Sequence, residues 1–159
     1  MPVNNALEAS WLITQNLLKH SWLNNMADPL DFFKRTRDLY PSEKGYFKAN
    51  PQVGGMATED QYVVLNPYSK LSPQEKNAVH VNEAARLYMN QNGVPNVSLT
   101  REQEQNLTGL GAYANADPQY KKATMMARIL SGDPTGGIPT MEQSEAIKPM
   151  LFLRGLFNK

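Results

Sequence analysis

"SPQEKNAVHVNEAARLYMNQNG", Ser72 to Gly93, has a marked start, a helical pattern and a marked stop. Ser72 carries a hydroxyl that can accept from an orphan backbone donor. Pro73 takes the first helical position, where its missing N–H costs nothing, and Glu75 reaches back from the third position. Gly93 suits the exit. A helix over about 73–91 follows, with Ala78, Val81, Ala84, Ala85, Tyr88 and Met89 as its core stripe. His80 and Glu83 fall off that stripe, on a flank with Lys76 and Leu87, and read as an exposed polar pair one turn apart. A metal there would need three or four protein ligands. The only other histidine is His20 and the chain has no cysteine, so no set can be completed.

Working outward, the same start logic recurs. Thr100 with Gln103, Thr140 with Gln143, and Asp117 before Pro118 predict helices over 101–108, 141–153 and 118–131. Gly109, with Gly111, and Gly132 end two of them. The linkers "NGVPNVS" and "SGDPTGGIP" read as loops, the second as a flexible helix–helix connection. Its resemblance to a phosphate-binding loop fails for want of a Gly-Lys-Ser/Thr ending and a preceding strand. Upstream, Asp28 and Pro29 start a short helix that should run to Leu39 or Tyr40 and be closed by Pro41. Between Pro41 and Leu71 helical periodicity is lost. "QVGGM" and "QYVVL" are expected to pair as a small hairpin across "ATED", leaning on the helices through Tyr46, Phe47, Tyr62 and Val64. The fold class is mostly α: five to six helices with a small irregular or β-hairpin segment at 41–71, in one domain spanning 1–159. No repeat unit stands out.

Residues 4–26 form a further predicted helix. Leu7, Trp11, Leu18 and Trp22 lie on one stripe, while Leu12, Ile13, Leu17 and Leu23 occupy other faces. Apolar residues around the circumference require burial on more than one side, either as a core helix or as a helix docked on a partner. The tail repeats the choice with Met150, Leu151, Phe152, Leu153, Leu156 and Phe157. Methionines such as Met125 and Met126 suit adaptable packing, in a core or at a surface.

A net charge of +1 gives no global field toward nucleic acid or anionic membrane. The small basic cluster Lys34, Arg35 and Arg37 is answered by Asp31 and Asp38, and Glu59–Asp60 reads as a solvated turn. No apolar run is long enough for a bilayer, and Glu8 and Lys19 interrupt the N-terminal one. Lack of cysteine removes thiolate chemistry and fits a reducing compartment or a viral particle. There is no G-x-S-x-G elbow, and no Ser–His pair can be assigned.

"GYFKANPQVGGMATEDQYVVLNPYSKLSPQEKNAVHVNEAARLYM" and "ARILSGDP" resemble pieces of small uncharacterised proteins encoded by tailed bacteriophages, over roughly a third of the chain. The resemblance carries no active-site motif and implies a phage accessory or virion-associated protein. The expectation is a non-enzymatic interaction component, in the virion or the host cytoplasm, with no catalytic residue, metal or cofactor. Its partners would be other phage proteins or copies of itself, with no membrane or nucleic-acid role. The partner-contacting residues would be Trp11, Leu18, Trp22, Leu151, Phe152, Leu156 and Phe157. The alternatives are a host-takeover binder and a small metal-dependent hydrolase built on His80 and Glu83.

Overall fold

The computed structural model describes residues 29–109 and 113–151. The predicted 4–26 helix, with Trp11, Leu18 and Trp22, and the tail residues Phe152, Leu156 and Phe157 lie outside them. The described chain is mostly helical, with a small antiparallel hairpin in the middle. In order it comprises α1 (Pro29–Phe33), α2 (Pro41–Ala49), β1 (Gly55–Ala57), β2 (Val63–Leu65), α3 (Pro73–Asn92), α4 (Arg101–Thr108), α5 (Pro118–Ser131) and α6 (Met141–Ile147). No helix among these residues is long and apolar enough to cross a membrane.

Helix α1 is shorter than its sequence suggests, and Pro41 opens a helix instead of closing one. After Phe33 the backbone turns, with the Thr36 N–H donating to Lys34 O at 2.9 Å. The Val63 N–H then donates to Arg35 O at 2.7 Å, and Thr36 bridges Val63 in parallel, so this segment lies along the hairpin. Tyr40 is extended, as a residue before proline should be, and Glu43 accepts the Tyr40 N–H at 2.8 Å. That is the Pro-x-Glu half of the Ser72–Glu75 arrangement, without a side chain at the cap able to complete it.

The two expected runs do pair, with Gly55 opposite Leu65, but the first strand starts at Gly55 and takes in Ala57, expected in the turn, opposite Val63. The hairpin sits close on α3 because Gly55 lacks a side chain. A Cβ there would lie 2.8 Å from Val64 O and 3.0 Å from Val79 Cγ1. Of the residues expected to seat it, Phe47 and Val64 are buried, while Tyr46 and Tyr62 remain largely exposed. Behind it, the buried Asn66 amide donates to Val53 O at 2.7 Å, Asn50 O at 3.3 Å and Phe47 O at 3.4 Å. Its Oδ1 accepts the Tyr68 N–H at 2.8 Å. One side chain thereby gathers the carbonyls at the end of α2.

Helix α3 is the axis of the molecule, contacted by α1, both strands and α5. Val81, Ala84, Ala85, Tyr88 and Met89 are buried as expected, with Ala78 half-buried. Leu87, expected on a solvent flank, is fully buried. A helix packed on several sides needs more than one apolar stripe. Met125 and Met126 are core residues beside Ala123, Ala127 and Leu130.

Helices α4 and α5 occupy the predicted spans, but α6 stops at Ile147, ahead of the predicted residue 153. Pro149 offers no helical donor, and a 3-10 turn forms over Lys148–Met150. The starts of α4 and α6 are one motif used twice, Thr-x-Glu-Gln-x-x-x-Leu/Ile, at Thr100–Leu107 and Thr140–Ile147. Gln103 and Gln143 are both fully buried and face each other. Gln103 Nε2 donates to Gln143 Oε1 at 2.9 Å, and Gln143 Nε2 donates to Gln103 Oε1 at 2.8 Å. Each Oε1 also accepts its own cap N–H, from Thr100 at 2.9 Å and Thr140 at 3.1 Å. The remaining amide hydrogens go to Gly136 O at 3.1 Å and Ser98 O at 2.8 Å. Both carboxamides are fully satisfied.

Candidate functional site

His80 and Glu83, read as one exposed pair, have separate partners and are both partly buried. The His80 ring stacks on Phe33, with centroids 3.9 Å apart and planes 13° from parallel. Its Nε2 lies 2.7 Å from Phe33 O, which suits a neutral imidazole donating to the carbonyl. Burial pushes its pKa down, only partly offset by that bond. Glu83 meets the hairpin: Oε2 accepts the Ala57 N–H at 3.0 Å, and its side chain is 16% exposed. Desolvation pushes the carboxyl pKa up, against the opposing pull of Arg86 and the Ala57 N–H. Both residues are covered for one reason. Both would be solvated on an isolated helix, but α1 covers one side of α3 and the hairpin another. Among the described residues no group of three His, Cys, Asp or Glu is placed to hold a metal ion.

Glu83 and Arg86 sit where two concavities meet. One, of about 710 Å³, lies toward Gln52, Gln74 and the Gly132–Pro134 turn. The other, of about 360 Å³, is walled by Tyr46, Tyr113 and Tyr120, with Asn90 at its side. Both share Gly55, Glu83, Arg86 and Tyr113. Tyr113 and Tyr120 stack at 5.8 Å, 20° from parallel. The Arg86 guanidinium lies 5.5 Å from the Tyr120 ring centre, and that of Arg128 lies 5.5 Å from Tyr113.

Most charged groups of this cleft already hold the fold. Arg86 donates from Nε to Asn82 at 3.0 Å and from Nη1 to Thr124 at 3.0 Å. Arg128 donates to Thr135 Oγ1 at 3.1 Å. Asp133 caps the Pro134–Gly136 turn by accepting from Thr135 N at 2.9 Å, and Glu75 accepts the Ser72 N–H at 2.7 Å. The "SGDPTGG" stretch, expected to be a flexible connection, is tied down at Asp133, Thr135 and Gly136. Glu83 is only half engaged: Oε2 takes the Ala57 N–H and lies 3.8 Å from Arg86 Nε. Its Oε1 meets no donor among the described residues. No buried side-chain oxygen among them lacks a partner, so Oε1 is open to the cleft.

A second feature lies on α2 and the hairpin. Tyr40, Tyr46, Tyr62 and Tyr68 are between 38% and 53% exposed. The Arg37 guanidinium stacks 3.8 Å from the Tyr40 ring centre and 5.7 Å from that of Tyr62. Asp31 and Asp38, expected to answer it, do not do so with their carboxylates: Asp38 offers only its backbone carbonyl, 2.9 Å from Nη1. Glu43 takes Nη1 and Nη2 at 2.8 Å each, and Asp60 takes Nε at 2.9 Å. Asp60 is thus no merely solvated turn residue. Arg37 and then Thr58 hold its pKa down at about 2.

This cluster predicts an acid-sensitive contribution. A carboxylate depressed on folding stabilises above its unfolded pKa, and that stabilisation is lost as pH falls through the folded value. The window here runs from about 4 down to about 2. Asp60→Asn should therefore lower the urea midpoint near pH 7, with the difference from wild type shrinking steadily as the pH approaches about 2.

Of the residues expected to contact partners, Leu151 alone is described, and it is 40% exposed. Near α6 and also open to solvent are Ile138 and Met141, each 83% exposed. No family model, curated protein or solved structure matches this chain.

Proposed function

We propose that this protein is a non-enzymatic interaction component of a bacteriophage, associated with the particle and contacting other phage proteins or copies of itself. The observation that carries the reading is the pair of exposed rings, Tyr40 and Tyr62, held around Arg37. Tyrosine and arginine are the side chains that most often dominate the energy of protein interfaces. Tyrosine offers a large contact at little entropic cost, and here Glu43 and Asp60 fix the guanidinium in advance. Exposed Ile138, Met141 and Leu151 add apolar contact area. The use made of Glu75, Arg86, Arg128 and Asp133 supports the non-catalytic half. Each is taken up in a cap or a packing bond, to Ser72, Asn82 or Thr135.

From the sequence, Trp11, Leu18, Trp22 and the Leu151–Phe157 tail join this contact set. Trp11→Ala with Trp22→Ala should abolish assembly, read by sedimentation, while the circular dichroism stays largely helical. Unfolding of the doubly substituted chain would make both residues core and remove them from the interface.

A further inference from the structure

We infer that the tyrosine-walled concavity over Glu83 is a saccharide-binding site. Its walls come from three places in the chain: Tyr46 on α2, Tyr113 before α5, and Tyr120 in the first turn of α5. Tyr113 and Tyr120 stack on one another, and Tyr46 and Tyr120 are about half exposed, so the rings of Tyr46 and Tyr120 are the ones a ligand can reach. The negative face of such a ring attracts the C–H face of a pyranose. At the floor, Glu83 Oε1 offers an acceptor that no described donor uses, and the exposed Asn90 carboxamide adds a donor and an acceptor.

Charge narrows the ligand further. Among the described residues, the charged groups lining this concavity are Glu83 and Arg86, of opposite sign and 3.8 Å apart. An anion would meet the Glu83 carboxylate. A cation would meet Arg86, whose guanidinium already lies over Tyr120, and nearby Arg128, which lies over Tyr113. The site favours a neutral ligand that both donates and accepts hydrogen bonds and carries an apolar face. A sugar ring combines these properties. At about 360 Å³ the concavity is within the range of small-ligand sites, and it opens past Glu83 into the larger cleft, giving an oligosaccharide room to continue. This inference does not depend on the interaction face around Arg37.

The test is a glycan array probed with the full chain, followed by calorimetry on the strongest saccharide. Wild type should bind a defined saccharide class. Tyr120→Ala should weaken that binding about tenfold or more, with Tyr120→Phe close to wild type, because the ring face and not the hydroxyl makes the contact. Asn90→Ala, at an exposed position, should weaken it severalfold and decides the matter if Tyr120→Ala does not fold. Absence of any bound glycan overturns the inference, as does unchanged affinity in folded Tyr120→Ala. Binding to a peptide array alone would overturn it equally, assigning the cleft to a protein segment.

Discussion

Gln143→Ala should destabilise the protein by about 3–5 kcal/mol, a large effect for one uncharged polar side chain. The substitution removes a carboxamide whose hydrogens go to Ser98 O and Gln103 Oε1, and whose oxygen accepts from Thr140 N and Gln103 Nε2. It leaves parts of Gln103 and Ser98 without partners where water does not reach freely. An unpaired buried polar group costs about 1–3 kcal/mol, more than a typical hydrogen bond contributes net. Gln103→Ala should be similar in size, since Gln103 makes the same set of bonds from the other side. The informative measurement is the double-mutant cycle by urea unfolding. Once one glutamine is gone its partner's bonds are already broken, so the double variant should be markedly less unstable than the sum, with a coupling of about 1–3 kcal/mol. Strict additivity would mean that the two caps act independently.

Asn66→Asp should cost about 3–5 kcal/mol, more than Asn66→Ala at about 1–3 kcal/mol, although aspartate is the closer match in shape. The Asn66 amide nitrogen faces the carbonyls of Val53, Asn50 and Phe47. Aspartate would replace that donor with a second acceptor, setting a buried negative charge against three carbonyl dipoles. Alanine removes the side-chain partner of Val53 O and of the Tyr68 N–H, while Phe47 O and Asn50 O keep backbone donors in the Asn50 and Val53 N–H groups. The order can be read from chemical denaturation near neutral pH. As the pH falls the aspartate variant should recover part of its loss, because its raised folded pKa restores a protonated, donating side chain. Equal losses for the two variants would mean that the donor role of Asn66 is unimportant.

These two amide centres also mark what could be read in the sequence. Ser72, Thr100, Asp117 and Thr140 announce their helices because capping is local chemistry, complete within four residues. Tyr40 supplies no capping side chain, so Pro41 reads as a stop, and Glu43 at the third position is the one local sign of α2. Leu87, His80 and Glu83 share a different difficulty. Their burial depends on α1 and the hairpin, which a helical wheel of α3 does not contain. The Gln103–Gln143 bond joins residues 40 apart, although the duplicated Thr-x-Glu-Gln was visible as a pattern. The cleft was illegible for the same reason. Tyr46, Glu83, Tyr113 and Tyr120 carry no shared motif, and only tertiary packing brings them together.

The central claim is that the chain works by contact with neighbouring proteins in a particle. Its most direct test is quantitative mass spectrometry of phage particles purified from cells that express the chain. Wild type should be present in a fixed ratio to the other particle proteins. A chain with Tyr40→Ala and Tyr62→Ala, unchanged in helical content, should be depleted at least about tenfold, because two exposed tyrosines at an interface centre each contribute about 1–2 kcal/mol. Particles free of the wild-type chain, with the protein left as a monomer in the lysate, would contradict the account.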